Sequence, residues 1–229
     1  MKEKAIFDRF ANEYDGWFET EEGRKVKELE LSLLLDFAEP SSGEKMLEVG
    51  IGTGLFAVEF AKRGVEVFGI DPSEEMLKIA EQRGFSVKVG TGENIPFEDN
   101  SFDIVLAMTS IEFSKSPDKF VSEMKRVAKC RGRVIVAALN LLSFYGIERR
   151  IKGLFKETVF KNAHFYTYWE LLRLLSKHLS NVEVSSSIFF PPHPPKMILN
   201  HAGGLENFGR KYLKPFGALL VGKGVKNVC

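Results

Sequence analysis

A chain of 229 residues that is 44% hydrophobic and 12% aromatic can bury a full core, and without a low-complexity tract it is not a disordered segment. Thirty-two Lys and Arg against thirty-one Asp and Glu leave a net charge of +1, so the whole-chain balance excludes a general electrostatic case for a nucleic-acid partner. No apolar run approaches the ~18 residues of a membrane span, and the opening MKEKAIFDRFANEYDGWF is charged where a secretory leader is apolar. With only Cys130 and Cys229, a cytoplasmic, reducing location is expected, with neither a disulfide framework nor a zinc site.

Residues 1–40 read as a helical cover, with Phe7, Phe10, Tyr14 and Trp17 on an amphipathic stretch. From 45 to 138, strand-length apolar runs alternate with helix-period segments, which predicts a parallel sheet. Strands are expected at 45–49, 65–70, 86–89, 102–107 and 133–138. Helices are expected at 55–63, closed by Gly64, and at 74–83, capped by Ser73 and closed by Gly84. A third runs from Pro117, after Ser116, to about 128. Residues 141–165 are aromatic and basic, after which Thr167 and Glu170 form a T-x-x-E box opening a helix to about 177. Strands at 182–189 and 217–223 follow, separated by PPHPP and a Gly-rich stretch with room for one short helix. The expected fold class is α/β: a Rossmann-like, doubly wound, mostly parallel seven-stranded sheet with helices on both faces and an antiparallel C-terminal edge hairpin. It would form one domain, with a cover at about 1–40, a core at about 41–140 and a lid insertion at about 141–166.

The segment LEVGIGTGLFA, 47–57, places Gly50, Gly52 and Gly54 between the first strand and a helix. A glycine turn there lets a ligand approach the backbone and aims free helix N–H groups at it. Asp71 ends the next strand about 20 residues on, where a carboxylate can accept ribose hydroxyls, so an adenosine-type ligand is expected. A dinucleotide fingerprint would be G-x-G-x-x-G, and Leu55 stands where its last glycine would fall. That spacing disfavours a nicotinamide-dependent oxidoreductase. A non-catalytic cofactor-binding protein remains as the other alternative.

Four segments in order, YDGW at 14–17, LEVGIGTG at 47–54, GIDPSEEML at 69–77 and GTGENIPFEDNSFDIV at 90–105, make residues 5–138 resemble the class I S-adenosylmethionine-dependent methyltransferases. Within that class the chain is most similar to the small-molecule group related to ubiquinone/menaquinone-biosynthesis methyltransferases. The resemblance implies S-adenosylmethionine as cofactor and methyl transfer to a small organic acceptor. The loop from Glu48 through Gly50 and Gly52 to Gly54 would lie against the cofactor's methionine part. Asp71, with Pro72 beside it, would bind the ribose, Thr91, Gly92 and Glu93 would edge the adenine, and Tyr14 would cover the site. The family commonly has Asp where this chain has Thr91, and Cys130-Arg131-Gly132 replaces its usual Pro-Gly-Gly turn.

A sulfonium methyl is already activated, so no catalytic triad is expected, and a base is needed only if the acceptor must lose a proton. Glu112, just after the fourth strand, and His164 are the two candidates for that base, although the default for a loop glutamate is solvent. His164, His178, His193 and His201 show no metal-ligand spacing, so no metal is expected. Glu148-Arg149-Arg150-Ile151-Lys152 reads as a solvated face that could steer an anionic acceptor. The aromatic residues of 7–18 and 141–169 suggest a lid over a small organic molecule rather than a nucleic acid.

Overall fold

A computed structural model describes residues 8, 11, 14–155, 160 and 163–227, with the side chains of Tyr14 and 153–155 outside the description. Phe7 and Phe10 of the expected cover also lie outside the described residues. The strands are β1 (Lys45–Val49), β2 (Glu66–Asp71), β3 (Ser86–Val89), β4 (Phe102–Met108), β5 (Ala128–Leu139), β6 (Ser180–Ser187) and β7 (Leu219–Val225). They form one sheet in the order β3-β2-β1-β4-β5-β7-β6. β7 runs antiparallel to both its neighbours, and the other six strands share one direction. The expected C-terminal antiparallel pair is present, with β7 inside the sheet and β6 at its edge.

Eight α-helices are described: α1 (Glu21–Ala38), α2 (Ala57–Ala61), α3 (Glu74–Gln82), α4 (Pro117–Val127), α5 (Phe144–Phe155), α6 (Tyr168–Ser176), α7 (Lys196–Asn200) and α8 (Ala202–Tyr212). Period-2 side-chain alternation sends successive strand residues to opposite faces, and both faces are covered. Met46, Ile104, Leu106, Ile135, Ala137 and Val221 pack with Leu33 and Leu34 of α1 on one side. Leu47, Val105, Val134, Val136 and Leu220 pack with Val121 and Met124 of α4 and with Leu171 and Leu175 of α6 on the other.

Local signals set the helix boundaries. Thr20 caps α1 by accepting from the Gly23 amide, and Ser73 caps α3 through Met76. Thr167 and Glu170 form the expected capping box of α6. Ser116 makes no side-chain cap; Pro117 alone marks the start of α4. α2 is shorter than the sequence suggests, because the loop continues in turns through Leu55 and Phe56. Between β6 and β7 the chain forms two helices where one short helix had room. Cys130 is disulfide-bonded, which corrects the reduced-thiol expectation; Cys229 lies outside the described residues.

Candidate active site

The site is assembled at the carboxyl ends of the strands, where an open α/β sheet leaves a crevice. After Val49 the chain turns with left-handed backbone at Gly50 (φ 80°), Gly52 (φ 54°) and Gly54 (φ 79°). The amides of Gly50 and Ile51 both donate to the Ile70 carbonyl, pinning the turn to the end of β2. The three glycines serve different ends. A Cβ on Gly50 would lie 2.4 Å from that of Ser110, and one on Gly54 would lie 2.7 Å from the Phe85 ring, so these two are required by packing. A Cβ on Gly52 would meet nothing within 4 Å. Gly52 is therefore the position where the loop backbone faces an open approach.

Asp71 is nearly buried and acts first as a clamp. Its Oδ2 accepts from the Gly52 amide at 3.0 Å and its Oδ1 from the Ser73 amide at 2.8 Å, fixing the glycine turn and the entry to α3 together. Burial pushes its carboxyl up to about 6, opposed by these two amides and reinforced by Asp8. Each oxygen keeps a lone pair for a further donor. Pro72 beside it is exposed.

Glu48, on β1, is 2% exposed, and its Oε2 has no hydrogen-bond partner. Burial, and then the charge of Asp71, lift it to about 8. A buried carboxyl oxygen with no partner is costly, and a donor brought by a ligand would satisfy it in the ionised form.

The segment after β3 is held by its own contacts. Thr91 is exposed and bridges to Asn94, and Gly92 is packed so closely on Phe120 that a Cβ would lie 2.0 Å from the ring. Glu93 accepts from the Ser114 hydroxyl at 2.7 Å and the Lys115 amide at 3.0 Å, and hydrogen bonds hold its carboxyl below the usual range against a burial penalty. Its carboxylate is thus engaged in joining this loop to the one after β4.

The N-terminal turn, a 3-10 helix over Tyr14–Glu19, is anchored on the glycine loop. Asp15 accepts from the Thr53 hydroxyl at 2.8 Å and pairs with Arg83, which also donates to the Thr53 carbonyl at 2.8 Å. Asp8 accepts from the Ser73 hydroxyl at 2.5 Å. The Tyr14 side chain, expected to cover the cofactor, lies outside the described residues.

Sequence and structure diverge most at Glu112. It lies in the 3-10 turn Ile111–Phe113 after β4, and far from being solvated it is 1% exposed. Its Oε1 accepts from the Leu139 amide at 2.6 Å, and its Oε2 is buried without a partner. Burial raises it to about 7, against the Leu139 amide and the Arg149 charge. His164 is exposed; its amide donates to the Glu112 carbonyl at 2.8 Å and its ring stands edge-on to Tyr166, with centroids 4.6 Å apart.

Two residues that sequence reasoning missed complete this region. Glu30 of α1 is buried, its Oε2 has no partner, and burial lifts it to about 8 against the charge of Arg149. The available signal was a glutamate on the apolar face formed by Val26, Leu29, Leu33 and Leu34. Arg149 was read as part of a solvated basic face. It is instead half-buried, with its guanidinium over the Phe160 ring at 5.1 Å, and desolvation lowers its pKa, opposed by the charges of Glu30 and Glu112. Arg150 and Lys152 remain exposed, and Lys152 pairs with Glu148 at 2.5 Å. Among the described residues, no group of three His, Cys, Asp or Glu side chains is arranged to hold a metal, and no helix is long and apolar enough to cross a membrane.

Comparison with known proteins identifies what this cradle serves. Residues 47–136 match the methyltransferase domain family. A structure from Thermotoga maritima, described as a SAM-dependent methyltransferase and possible histamine N-methyltransferase, superposes with a TM-score of 0.79 at 32% identity, covering 97% of this chain and 99% of that one. The chain belongs to the S-adenosylmethionine-dependent methyltransferases. An uncharacterized protein of Methanocaldococcus jannaschii is 36% identical over 188 residues, 80% of this chain and 85% of its own length. The demethylmenaquinone methyltransferase of Renibacterium salmoninarum is 32% identical over 114 residues, and the match spans about half of each chain, 49% and 48%.

The residues present fit the cofactor. Gly52 leaves the backbone open to it, Asp71 has lone pairs to spare at the end of β2, and the unpartnered Glu48 oxygen is an acceptor in want of a donor. When bound, S-adenosylmethionine supplies a methyl group on a cationic sulfur that leaves without further activation. The chain's own work is to hold the acceptor in line with that methyl and keep water away.

Proposed function

We propose that this methyltransferase acts on a small organic acceptor held beyond the ends of β4 and β5. The observation that carries this reading is the row of rings after β4: Phe113, Phe160 and Phe165 follow one another with centroids 6.5 and 6.1 Å apart, and buried Tyr166 is next in the chain. Such a surface suits a compact, apolar or planar molecule rather than a polymer. The names of the relatives, demethylmenaquinone methyltransferase and possible histamine N-methyltransferase, likewise point to small organic acceptors.

In this reading Glu48 accepts from the ammonium group of the cofactor's methionine part and Gly50, Gly52 and Gly54 line its approach. Asp71 receives the ribose hydroxyls, Thr91, Gly92 and Glu93 border the adenine, and Tyr14 covers it. The segment at about 1–40 is the cover of a single domain and 141–166 its lid. A cytoplasmic location is part of the proposal.

The test is a screen of small molecules, oligonucleotides and peptides that follows release of S-adenosylhomocysteine, with cofactor affinity measured by calorimetry. Turnover of small molecules is the expected result. Activity confined to nucleic acid or protein overturns the acceptor class, and tight binding without turnover of any acceptor favours the non-catalytic alternative.

A further inference from the structure

Helix α8 is amphipathic in the reverse sense. Its buried positions are Ala202, Glu206 and Gly209, spaced i, i+4, i+7, while Leu205, Phe208 and Tyr212, spaced i, i+3, i+7, are exposed. A surface helix ordinarily buries its large apolar side chains and leaves its charges in water. The inward face fixes this orientation. Glu206 accepts from the Ser187 hydroxyl at 2.6 Å and the Ile188 amide at 2.9 Å, and Gly209 lies so close to the Phe189 ring that a Cβ would stand 2.3 Å from it. Arg210 donates to Glu206 at 2.8 Å, to Asp36 at 3.0 Å and to the Leu29 carbonyl at 3.1 Å, tying α8 to α1. Rolling the helix to bury its rings would strand the Glu206 carboxylate away from Ser187 and Ile188, so the rings stay outside.

The exposed surface extends beyond α8. Among the described residues thirteen large apolar side chains are exposed, and six of them, Met197, Leu205, Phe208, Tyr212, Leu213 and Phe216, fall within 197–216. Such a concentration marks an interaction surface, unlike single apolar residues scattered over a protein. Its charge has one sign. The acids and bases of 196–216 are Lys196, Glu206, Arg210, Lys211 and Lys214; the lone carboxylate is buried, and the three exposed groups are lysines. Two acids of α1 border the surface, Glu21 at 3.9 Å from Lys196 and Asp36 at 3.0 Å from Arg210, so the excess positive charge rests on Lys211 and Lys214.

We propose that this face of α7, α8 and the turn to Phe216 lies on an anionic lipid membrane, with Met197 and the rings at the headgroup boundary and the lysines at the phosphates. Leucine and aromatic side chains flanked by lysine are the composition of a helix that lies in the interface, and the charge excess is complementary to anionic headgroups. Lysine stems reach along the apolar surface while their ammonium groups stay with the phosphates. A second copy of the chain fits less well, because a two-fold pairing sets the patch against itself and brings Lys211 and Lys214 up to their own copies. The contact is peripheral: α8 has 11 residues, far fewer than the ~20 of a membrane span. The proposal goes beyond the methyltransferase reading and does not depend on the acceptor.

The test is cosedimentation of the full chain with vesicles of phosphatidylcholine alone and of phosphatidylcholine mixed in equal parts with phosphatidylglycerol. Binding should be about tenfold or more tighter to the mixed vesicles and should weaken as salt is raised. Phe208→Ser with Tyr212→Ser, and separately Lys211→Glu with Lys214→Glu, should each weaken it by about tenfold or more. Both pairs alter exposed side chains only, so the wild-type Tm and S-adenosylmethionine affinity should be kept. Absence of binding to the mixed vesicles, equal binding to both kinds, or binding that survives Phe208→Ser with Tyr212→Ser overturns the proposal. Sedimentation equilibrium without lipid supplies the other arm: a dimer in the wild type that the same pair dissolves would show that a second copy covers this face, and would overturn the proposal as well.

Discussion

The three glycines of the loop are not equivalent, and substitution at each should fail for a different reason. At Gly50 and Gly54 an added carbon strikes Ser110 or Phe85, so the cost is stability. At Gly52 the space is free and only the left-handed backbone and the ligand object, so Gly52→Val should abolish cofactor binding while costing the fold no more than about 1–2 kcal/mol of local strain. Calorimetry with circular dichroism separates the two, and wild-type affinity in that variant would remove the loop from the site. Asp71 needs a more conservative probe, because it clamps the loop as well as offering lone pairs to a ribose. Asp71→Asn sets an NH2 against one of the two amides it now accepts from, leaving a buried N–H unpaired. The expected loss is about 1–3 kcal/mol in unfolding free energy together with weakened cofactor binding. Denaturant titration and calorimetry read these separately, and an unchanged unfolding midpoint would show that the clamp contributes nothing.

At the scale of elements, most of the sheet was legible because β-branched and apolar runs bounded by glycine are local facts. The run at 45–49 and the Ser73 and Thr167 caps needed no knowledge of neighbours. The ends of α2 were not legible, since Leu55 and Phe56 satisfy helical periodicity while the glycine turn keeps them in loop geometry. Neither was the burial of Glu30 and Glu112, nor the meeting of α1 and α5, where the Tyr145 hydroxyl donates to Glu22 at 2.7 Å, a placement that no spacing along the chain encodes. The N-terminal cover lies between these cases. Its aromatic pattern suggested a lid, but its attachment is polar, through Asp8 to Ser73 and Asp15 to Thr53 and Arg83. Both anchors fall on the segments that Asp71 clamps through the Gly52 and Ser73 amides. On the proposed reading of this segment as a cover, deleting residues 5–18 should lower turnover by a larger factor than it lowers cofactor affinity. Steady-state kinetics and calorimetry on the truncated chain make the comparison, and full-rate turnover would remove the lid from the mechanism.

Across the whole molecule, the carboxylates divide into two populations with opposite pH dependence. Asp103, Glu123 and Glu59, held by lysine and arginine partners, sit below their ordinary range, so the stability they contribute is present above about pH 4–5 and is lost only in acid. Asp71, Glu112, Glu48 and Glu30 are raised to about 6, 7, 8 and 8. Each binds its proton more tightly in the folded than in the unfolded state, so the native chain carries the extra protons through this interval and stability falls as pH rises through it. The cofactor-free protein should thus show a Tm that declines from pH 5.5 to pH 8, after the ion-paired carboxylates have finished titrating. Glu48→Gln should flatten that decline. A ligand whose ammonium group meets Glu48 favours the ionised carboxylate, so the rise in Tm produced by saturating S-adenosylmethionine should be larger at pH 8 than at pH 5.5 in the wild type, and nearly independent of pH in Glu48→Gln. Thermal scans of both proteins, with and without cofactor at the two pH values, decide the matter. A Tm that climbs toward pH 8, or a cofactor-induced rise with the same pH dependence in both proteins, would mean that Glu48 is not the buried acceptor that the cofactor satisfies.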